Sequence, residues 1–186
     1  MIPLKFKSIN HNKKEVVYTC SMPASWTEVT MKQLIRLETE YLTDDFLLLL
    51  EILSDLPRPV WEQTREKDFE TKLMPLLKWV KQKVNFASLP PPGSLTIGKK
   101  KYKIPDLTEK TLGCKIQLQN LVSELAEKKA AYTVACLRAC AIVYTDEHFG
   151  EWDSEKTSEM ETVIQKSSCM EVFALGNFFL RKLIRS

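Results

Sequence analysis

The chain is organised around the stretch Trp26-Thr-Glu-Val-Thr-Met-Lys-Gln-Leu-Ile-Arg-Leu-Glu38. A weaker copy, Leu107-Thr-Glu-Lys-Thr-Leu-Gly-Cys-Lys-Ile-Gln-Leu-Gln119, follows at an offset of 81 residues. The identical residues pair as Thr27 with Thr108, Glu28 with Glu109, Thr30 with Thr111, Ile35 with Ile116 and Leu37 with Leu118. Each copy follows a short segment of alternating apolar and polar residues and opens a helix. The repetition therefore predicts two similar halves, each a hairpin followed by helices.

Two β-hairpins are predicted, one before each copy. The first covers residues 4–20, where alternating segments flank the turn-forming stretch 10–13 (Asn-His-Asn-Lys). Asparagine suits such a turn because it tolerates left-handed backbone and bonds its own main chain. The second hairpin covers residues 95–104, with the basic turn Gly-Lys-Lys-Lys at 98–101.

Apolar residues at helical spacing fill most of the remaining chain. Thr30 with Gln33, and Ser168 with Glu171, fit capping boxes, which satisfy free backbone N–H groups at a helix start. Asp44 or Asp45 caps the helix that runs through the apolar residues 46–53. The predicted helices cover residues 30–42, 44–53, 59–66, 68–84 with a kink or fresh start at Pro75, 111–127, 128–144, 154–166 and 168–184. Residues 148–153 are predicted to form a loop.

The fold class predicted from these patterns is mainly α (α+β), a helical domain with two small β-hairpins. The Pro-rich stretch 89–94 is the strongest break in the chain and marks a boundary between residues 1–89 and 95–186. One compact domain with a shared core is the alternative.

Composition and charge imply neither a membrane-spanning segment nor a nucleic-acid partner. The net charge is +3, from 27 basic and 24 acidic residues, and no apolar run is long enough to span a membrane. The five cysteines are too few for a disulfide scaffold, which favours reduced thiols. Lysines 99, 100, 101 and 103 form the one notable basic cluster; it could contact a nucleic-acid backbone, but a solvated hairpin tip explains it more simply.

The residues that could carry chemistry do not form a recognisable site. Cys136, Cys140 and His148 lack the spacing of a metal site, and the two cysteines suit a buried helical core better. His11 and His148 are the only histidines, and the sequence has neither a nucleophile elbow nor a glycine-rich phosphate loop. The acidic pairs at 38/40 and 44/45 suit caps and solvated faces. We therefore predict no catalytic, cofactor or metal site, and no enzyme.

The last helix is the main candidate for a protein interface. Its apolar residues spread around much of the circumference, more than one core covers easily. The candidate interface residues are Trp26, Phe173, Phe178, Phe179 and Leu183. A place in the core is the alternative for each of them.

Three segments carry a resemblance to a known class of proteins. They are the pattern P-x-S-W-x-E-V-T-x-x-Q from Pro23 to Gln33, its echo Tyr102-Lys-Ile-Pro-Asp-Leu-Thr, and the chain end Asn177-Phe-Phe-Leu-Arg-Lys. Together they resemble small helical proteins of tailed bacteriophages, either tail assembly chaperone-like products or small neck and tail components of the virion. The second copy departs from the pattern, with Leu107 in place of the tryptophan and Gly113-Cys114 in place of Lys32-Gln33.

The resemblance implies a structural virion protein, a neck or tail ring or connector component that acts through oligomeric contacts. Its implied partners are other phage structural proteins and further copies of itself, and its implied location is the virion. One alternative is a tail assembly chaperone that works in the host cytoplasm and is absent from the mature particle. Another is a cytoplasmic protein-interaction adaptor.

Overall fold

The structure is a computed structural model that describes residues 1–9, 12–41, 45–82 and 84–185. Within these ranges it contains eight α-helices and two antiparallel two-stranded sheets, which confirms the predicted mainly α fold with two hairpins. The predicted turn residues Asn10 and His11, the apolar Leu42 and the alternative helix cap Asp44 lie outside the described residues.

The elements follow the predicted order, with strands and helices joined by short 3₁₀ turns. The strands are β1 (Ile2–Ile9), β2 (Glu15–Met22), β3 (Ser94–Ile97) and β4 (Lys100–Lys103). The helices are α1 (Met31–Thr39), α2 (Phe46–Ser54), α3 (Arg58–Glu62), α4 (Glu66–Asp68), α5 (Leu112–Ala126), α6 (Tyr132–Phe149), α7 (Ser154–Ile164) and α8 (Cys169–Arg185).

The chain divides into two compact units. The first comprises Met1–Val29 and Gln33–Val84, and the second comprises Thr30–Lys32 and Asn85–Ser186. The Pro-rich stretch 89–94 lies within the second unit.

The first unit is built on the β1–β2 hairpin and helix α2. Its strands pair over their full length, and Phe6 of β1 stacks on Trp61 of α3 with ring centroids 4.6 Å apart. Helix α2 begins where predicted, because the Asp45 carboxylate accepts from the N–H groups of Leu47 and Leu48. Four of its nine residues are buried, as the predicted central apolar helix requires: Leu49, Leu50, Ile52 and Leu53.

Residues 58–81 differ from the two helices predicted there. The helix predicted over 59–66 ends at Glu62, and the pattern over 68–84 forms short turns of three kinds instead of one α-helix. A π-helical turn covers Phe69–Leu73 and a 3₁₀ segment covers Met74–Lys81. Pro75 stands at the start of the 3₁₀ segment, where its missing N–H costs no hydrogen bond. The predicted fresh start at this proline is therefore present.

The second unit is a helical bundle around α6. Helix α6 packs against α5, α7 and α8, and most of its middle is buried. The α6–α8 crossing is close because Gly176 of α8 lies directly on the backbone of Cys136. A Cβ at position 176 would stand 2.3 Å from the Cys136 carbonyl oxygen. The glycine therefore fixes how near the two helices approach.

The end of α6 corrects the prediction of a loop from residue 148. His148 lies in the last helical turn, and its Nδ1 is 2.7 Å from the hydroxyl oxygen of Tyr102 on β4. The helix ends at Gly150, which adopts a left-handed φ of 82° and bonds back to the Asp146 carbonyl. This contact between His148 and Tyr102 joins the β3–β4 hairpin to the end of the helix.

The sequence repeat corresponds to a repeated local structure. In each copy a 3₁₀ turn, Trp26–Glu28 or Leu107–Glu109, precedes a threonine and an α-helix. Thr111 caps α5, since its hydroxyl oxygen accepts from the N–H of Cys114. Thr30 directly precedes α1, so it occupies the corresponding position.

The start of α1 is also held by backbone bonds inside the second unit. The N–H of Met31 donates to the carbonyl of Ser167 at 2.9 Å, and the N–H of Lys32 donates to the carbonyl of Gln165 at 2.9 Å. These two bonds satisfy donors that the first turn of a helix leaves free. The side-chain amide of Gln33 meanwhile donates to the carbonyl of Leu53 within the first unit.

Candidate functional site

Helix α8 is buried over its first half and half-exposed toward its end. Near its start the thiol of Cys140 on α6 donates to the Val172 carbonyl at 3.4 Å, and Val172 itself is fully buried. Further along, Leu175 and Leu180 are also fully buried. The exposure pattern changes after Leu180, and Ile184 is 62% exposed. The core thus holds the helix as far as Leu180 and leaves residues 181–184 at the surface.

Two of the predicted interface residues pack inside the second unit. Phe173 is 6% exposed and its ring lies 5.3 Å from that of Phe86 and 5.8 Å from that of Tyr132. Phe179 is fully buried and meets Tyr144 edge to face. In this structure both side chains are core residues of their unit.

Phe178 and Leu183 are the predicted interface residues that remain half-buried on α8. The ammonium of Lys182 stands 4.8 Å from the centroid of the Phe178 ring, a cation–π geometry. Phe178 and Lys182 are therefore in contact on the surface of the helix.

Trp26 belongs to the first unit, apart in the chain from the α8 residues. Its indole is half-buried and meets Trp79 edge to face at 5.3 Å. Its indole N–H donates to the Gln82 carbonyl at 3.2 Å. The aromatic face and the polar tip of this tryptophan are both used within its own unit.

A groove, here called groove A, lies beside the end of α8 and has a volume of about 420 Å³. It runs between α8, α5 and the 3₁₀ turn that opens the second copy. Leucines form most of its apolar surface, and two lysines and one aspartate stand among them. The lining residues are Asp106, Leu107, Thr108, Lys115, Leu118, Gln119, Lys182 and Leu183.

A second groove, groove B, also contains Lys182 and has a volume of about 370 Å³. It lies between α8 and the Pro-rich stretch, and its lining residues are Leu89, Pro91, Ala174, Asn177, Phe178, Arg181 and Lys182. Asn177 holds the neighbouring turn in place, because its amide donates to the Ala87 carbonyl and its oxygen accepts from the Tyr132 hydroxyl. Arg181 donates to the same Ala87 carbonyl.

The charged residues of groove A are held in defined positions. Lys115 donates to the Thr108 carbonyl at 2.8 Å. The Thr108 backbone N–H, its side chain and the charges of Lys182 and Lys115 hold the pKa of Asp106 below its usual value. Asp106 is therefore an ionised cap of the 3₁₀ turn at neutral pH.

The turn that carries Leu107 is followed by a buried lysine, Lys110, which forms ion pairs with helix α6. The side chain of Lys110 is only 4% exposed, and its ammonium lies 2.6 Å from the Asp146 carboxylate and 3.0 Å from that of Glu147. Both carboxylates stand in the last turns of α6, where a cation also suits the helix dipole. This ion pair attaches the wall of groove A to the core helix.

The cysteines have structural surroundings. Cys136 and Cys140 are fully buried on α6, and burial raises the pKa of the Cys140 thiol well above its usual value. Among the described residues, no three histidine, cysteine, aspartate or glutamate side chains are grouped so as to hold a metal ion. Nor, in that part of the chain, is any helix long and apolar enough to cross a membrane.

Residues outside the predicted set therefore form much of the candidate site. Periodicity pointed to α8 itself, but Leu107, Lys115 and Arg181 were not predicted as parts of a surface. The chain end Asn177-Phe-Phe-Leu-Arg-Lys contained the available signal, since the cations Arg181 and Lys182 directly follow an apolar stretch there. Comparison with known protein families, with curated proteins and with solved structures finds no match to this chain.

Proposed function

We propose that this protein is a structural component of a tailed bacteriophage virion, in the neck or tail, that acts through oligomeric protein contacts. The observation that carries the proposal is the exposed surface near the end of α8, where Phe178, Leu183 and Ile184 remain partly exposed beside two grooves. Large apolar side chains at a well-packed surface are typical anchors of protein interfaces. The phage assignment itself depends on the resemblance of residues 23–33.

The surface suits contact better than catalysis. Its charged groups are two lysines, an arginine and a capping aspartate, and each has a structural partner: Lys115 and Arg181 bond to carbonyls, Asp106 bonds to an N–H, and Lys182 lies over a ring. Such groups bind and orient a partner. We therefore expect the protein to work by holding other chains in place, among them copies of itself.

Protein content of purified particles tests the virion assignment. We expect the chain to be present in particles after density-gradient purification, at a constant ratio to a known tail protein. Absence from the particles, with the chain still co-purifying with a tail protein from lysates, would instead assign it as a tail assembly chaperone. Groove A favours this second candidate over an adaptor, because an open apolar groove can hold a client segment.

A paired substitution separates an interface from the core. Phe178→Asp combined with Leu183→Asp should abolish incorporation into particles and leave the helical circular dichroism signal intact, because both side chains are half-buried. Phe179→Asp is the matched control, since it places a charge at a fully buried position and should unfold the second unit. Normal incorporation of the folded double variant would exclude α8 as the contact surface.

A further inference from the structure

Grooves A and B meet at Lys182, and their charges and volumes specify what they can hold. We propose that the two grooves together form a docking site for an acidic, apolar segment of a partner protein. This inference rests on the proposed function in one respect: it takes the protein to act by contacts.

The apolar part of the site has room for large side chains. Leu107, Leu118 and Leu183 line groove A, which measures about 420 Å³. An apolar cavity of about 150 Å³ is already large enough for benzene, so groove A can take more than one leucine-sized side chain. Groove B adds about 370 Å³ and shares the lining residue Lys182 with groove A. A segment that passes over Lys182 can therefore place apolar residues in both grooves.

The charges select an acidic partner. The residues that line the two grooves include the cations Lys115, Arg181 and Lys182, and one carboxylate, Asp106. Lys115 and Arg181 hydrogen-bond to neutral backbone carbonyls, and among the lining residues the carboxylate of Asp106 alone offsets the charges of Lys115 and Lys182. The site is thus net positive around an apolar floor. Carboxylates on the partner would complement this field and steer its approach.

The first copy of the repeat shows how the site can be closed. Where the second copy has Leu107, the first has Trp26, whose indole is half-buried against Trp79. Leu107 is smaller and lines an open groove. Leu107→Trp therefore places in the second 3₁₀ turn the residue that the first 3₁₀ turn has at the same position. The larger indole should fill part of groove A.

The probe is a fluorescent amphipathic peptide of about 14 residues, long enough for nearly four helical turns. It carries leucines at helical spacing, flanked by glutamates. One comparison peptide has lysine in place of every glutamate, and another has serine in place of every leucine. We expect fluorescence anisotropy to rise when the acidic apolar peptide binds. Each comparison peptide should bind with an affinity at least about tenfold lower. Equal binding of the acidic and basic peptides would overturn the proposal.

Substitutions in the full chain test whether the peptide binds in the two grooves. Lys115→Glu with Lys182→Glu should weaken binding of the acidic peptide about tenfold, because attraction becomes repulsion at two positions. Leu107→Trp should weaken it to a similar extent, and circular dichroism checks its folding. Lys99→Glu with Lys101→Glu, on the exposed part of the β3–β4 hairpin, makes the same charge change outside the grooves and should alter binding by less than about twofold. Unchanged binding by the double lysine variant would exclude the site.

Self-association is the competing outcome. If light scattering shows a wild-type oligomer that Lys115→Glu with Lys182→Glu converts to a monomer, and no peptide binds, the occupant is a second copy and the proposal fails. Peptide binding by a chain that is absent from purified particles supports the docking site and removes the virion assignment. The two proposals can therefore fail separately.

Discussion

Gly176→Ala tests the closest contact in the second unit. A Cβ at this position would stand 2.3 Å from the Cys136 carbonyl oxygen, 2.5 Å from its Cα and 2.6 Å from its carbonyl carbon. All three atoms belong to the backbone of α6, so no side-chain rotation can relieve the overlap. The variant can fold only if α6 and α8 move apart, which loosens the contacts between the two helices.

Two effects of opposite sign set the magnitude. Alanine is favoured over glycine inside a helix by about 1 kcal/mol, because glycine has more backbone entropy to lose. Overpacking a core costs about 1–3 kcal/mol, and a clash with rigid backbone belongs at the upper end of that range. The free energy of unfolding should therefore fall by about 2 kcal/mol. In a chain of this size that corresponds to a melting temperature lower by about 4–8 °C.

Thermal unfolding followed by circular dichroism measures the change, and hydrogen exchange of α6 and α8 peptides locates it. Gly93→Ala is the matched control, because a Cβ there meets nothing within 4 Å. It should change stability by less than about 1 kcal/mol. A Gly176→Ala protein as stable as the wild type, or more stable, would show that α6 and α8 do not pack this closely.

Further substitutions test the core, a helix cap and a partly buried acid. Phe179→Ala should cost about 3–5 kcal/mol in urea titrations and Phe178→Ala less than half as much, since only Phe179 is fully buried. Thr111→Ala should cost about 1 kcal/mol and Thr111→Ser much less, because serine retains the capping oxygen. Burial raises the pKa of Glu161 against the opposing charge of Arg138, so its folded form holds a proton more tightly than the unfolded chain. Glu161→Gln should therefore match or exceed wild-type stability at neutral pH, with the difference shrinking in urea titrations as pH falls toward 4.5.

The local signals in the sequence predicted the element boundaries wherever a side chain caps its own helix. Asp45 and Thr111 each bond to an N–H two or three residues ahead, an interaction that depends on adjacent sequence alone. The alternating residues of both hairpins are equally local. These parts of the fold could be predicted because the interactions that form them span only a few residues.

Hydrogen-bond pattern and burial could not be predicted in the same way. Over residues 66–81 the apolar spacing is satisfied by α, π and 3₁₀ turns alike, so periodicity does not distinguish them. On α8 the sequence shows three phenylalanines. The partner elements decide which are covered: Phe173 meets Phe86 and Tyr132, and these residues are far away in sequence.

The grooves are formed by residues that are still farther apart in the sequence. Lys115 and Lys182 line the same groove from helices 67 positions apart in the sequence. Lys182 adjoins the predicted interface residue Leu183, but no neighbour of Lys115 in the sequence marks Lys115 as part of a surface. A pattern search along one chain therefore identifies the helix that carries the site and misses the residues that other elements bring to it.

The places where the second copy departs from the first have packing reasons. Gly113 replaces the lysine of the first copy, and a Cβ there would stand 2.3 Å from the Trp152 ring, so the indole needs the space. Cys114 replaces the glutamine, is fully buried, and its thiol donates to the Ile142 carbonyl of α6. The two copies thus retain the 3₁₀ turn and the threonine, which set the backbone conformation. They differ at the positions where the side chain packs against neighbouring elements, such as Gly113 and Cys114. Leu107 follows the same rule: the residue that opens groove A is the one at which the repeat exchanges an indole for a smaller side chain.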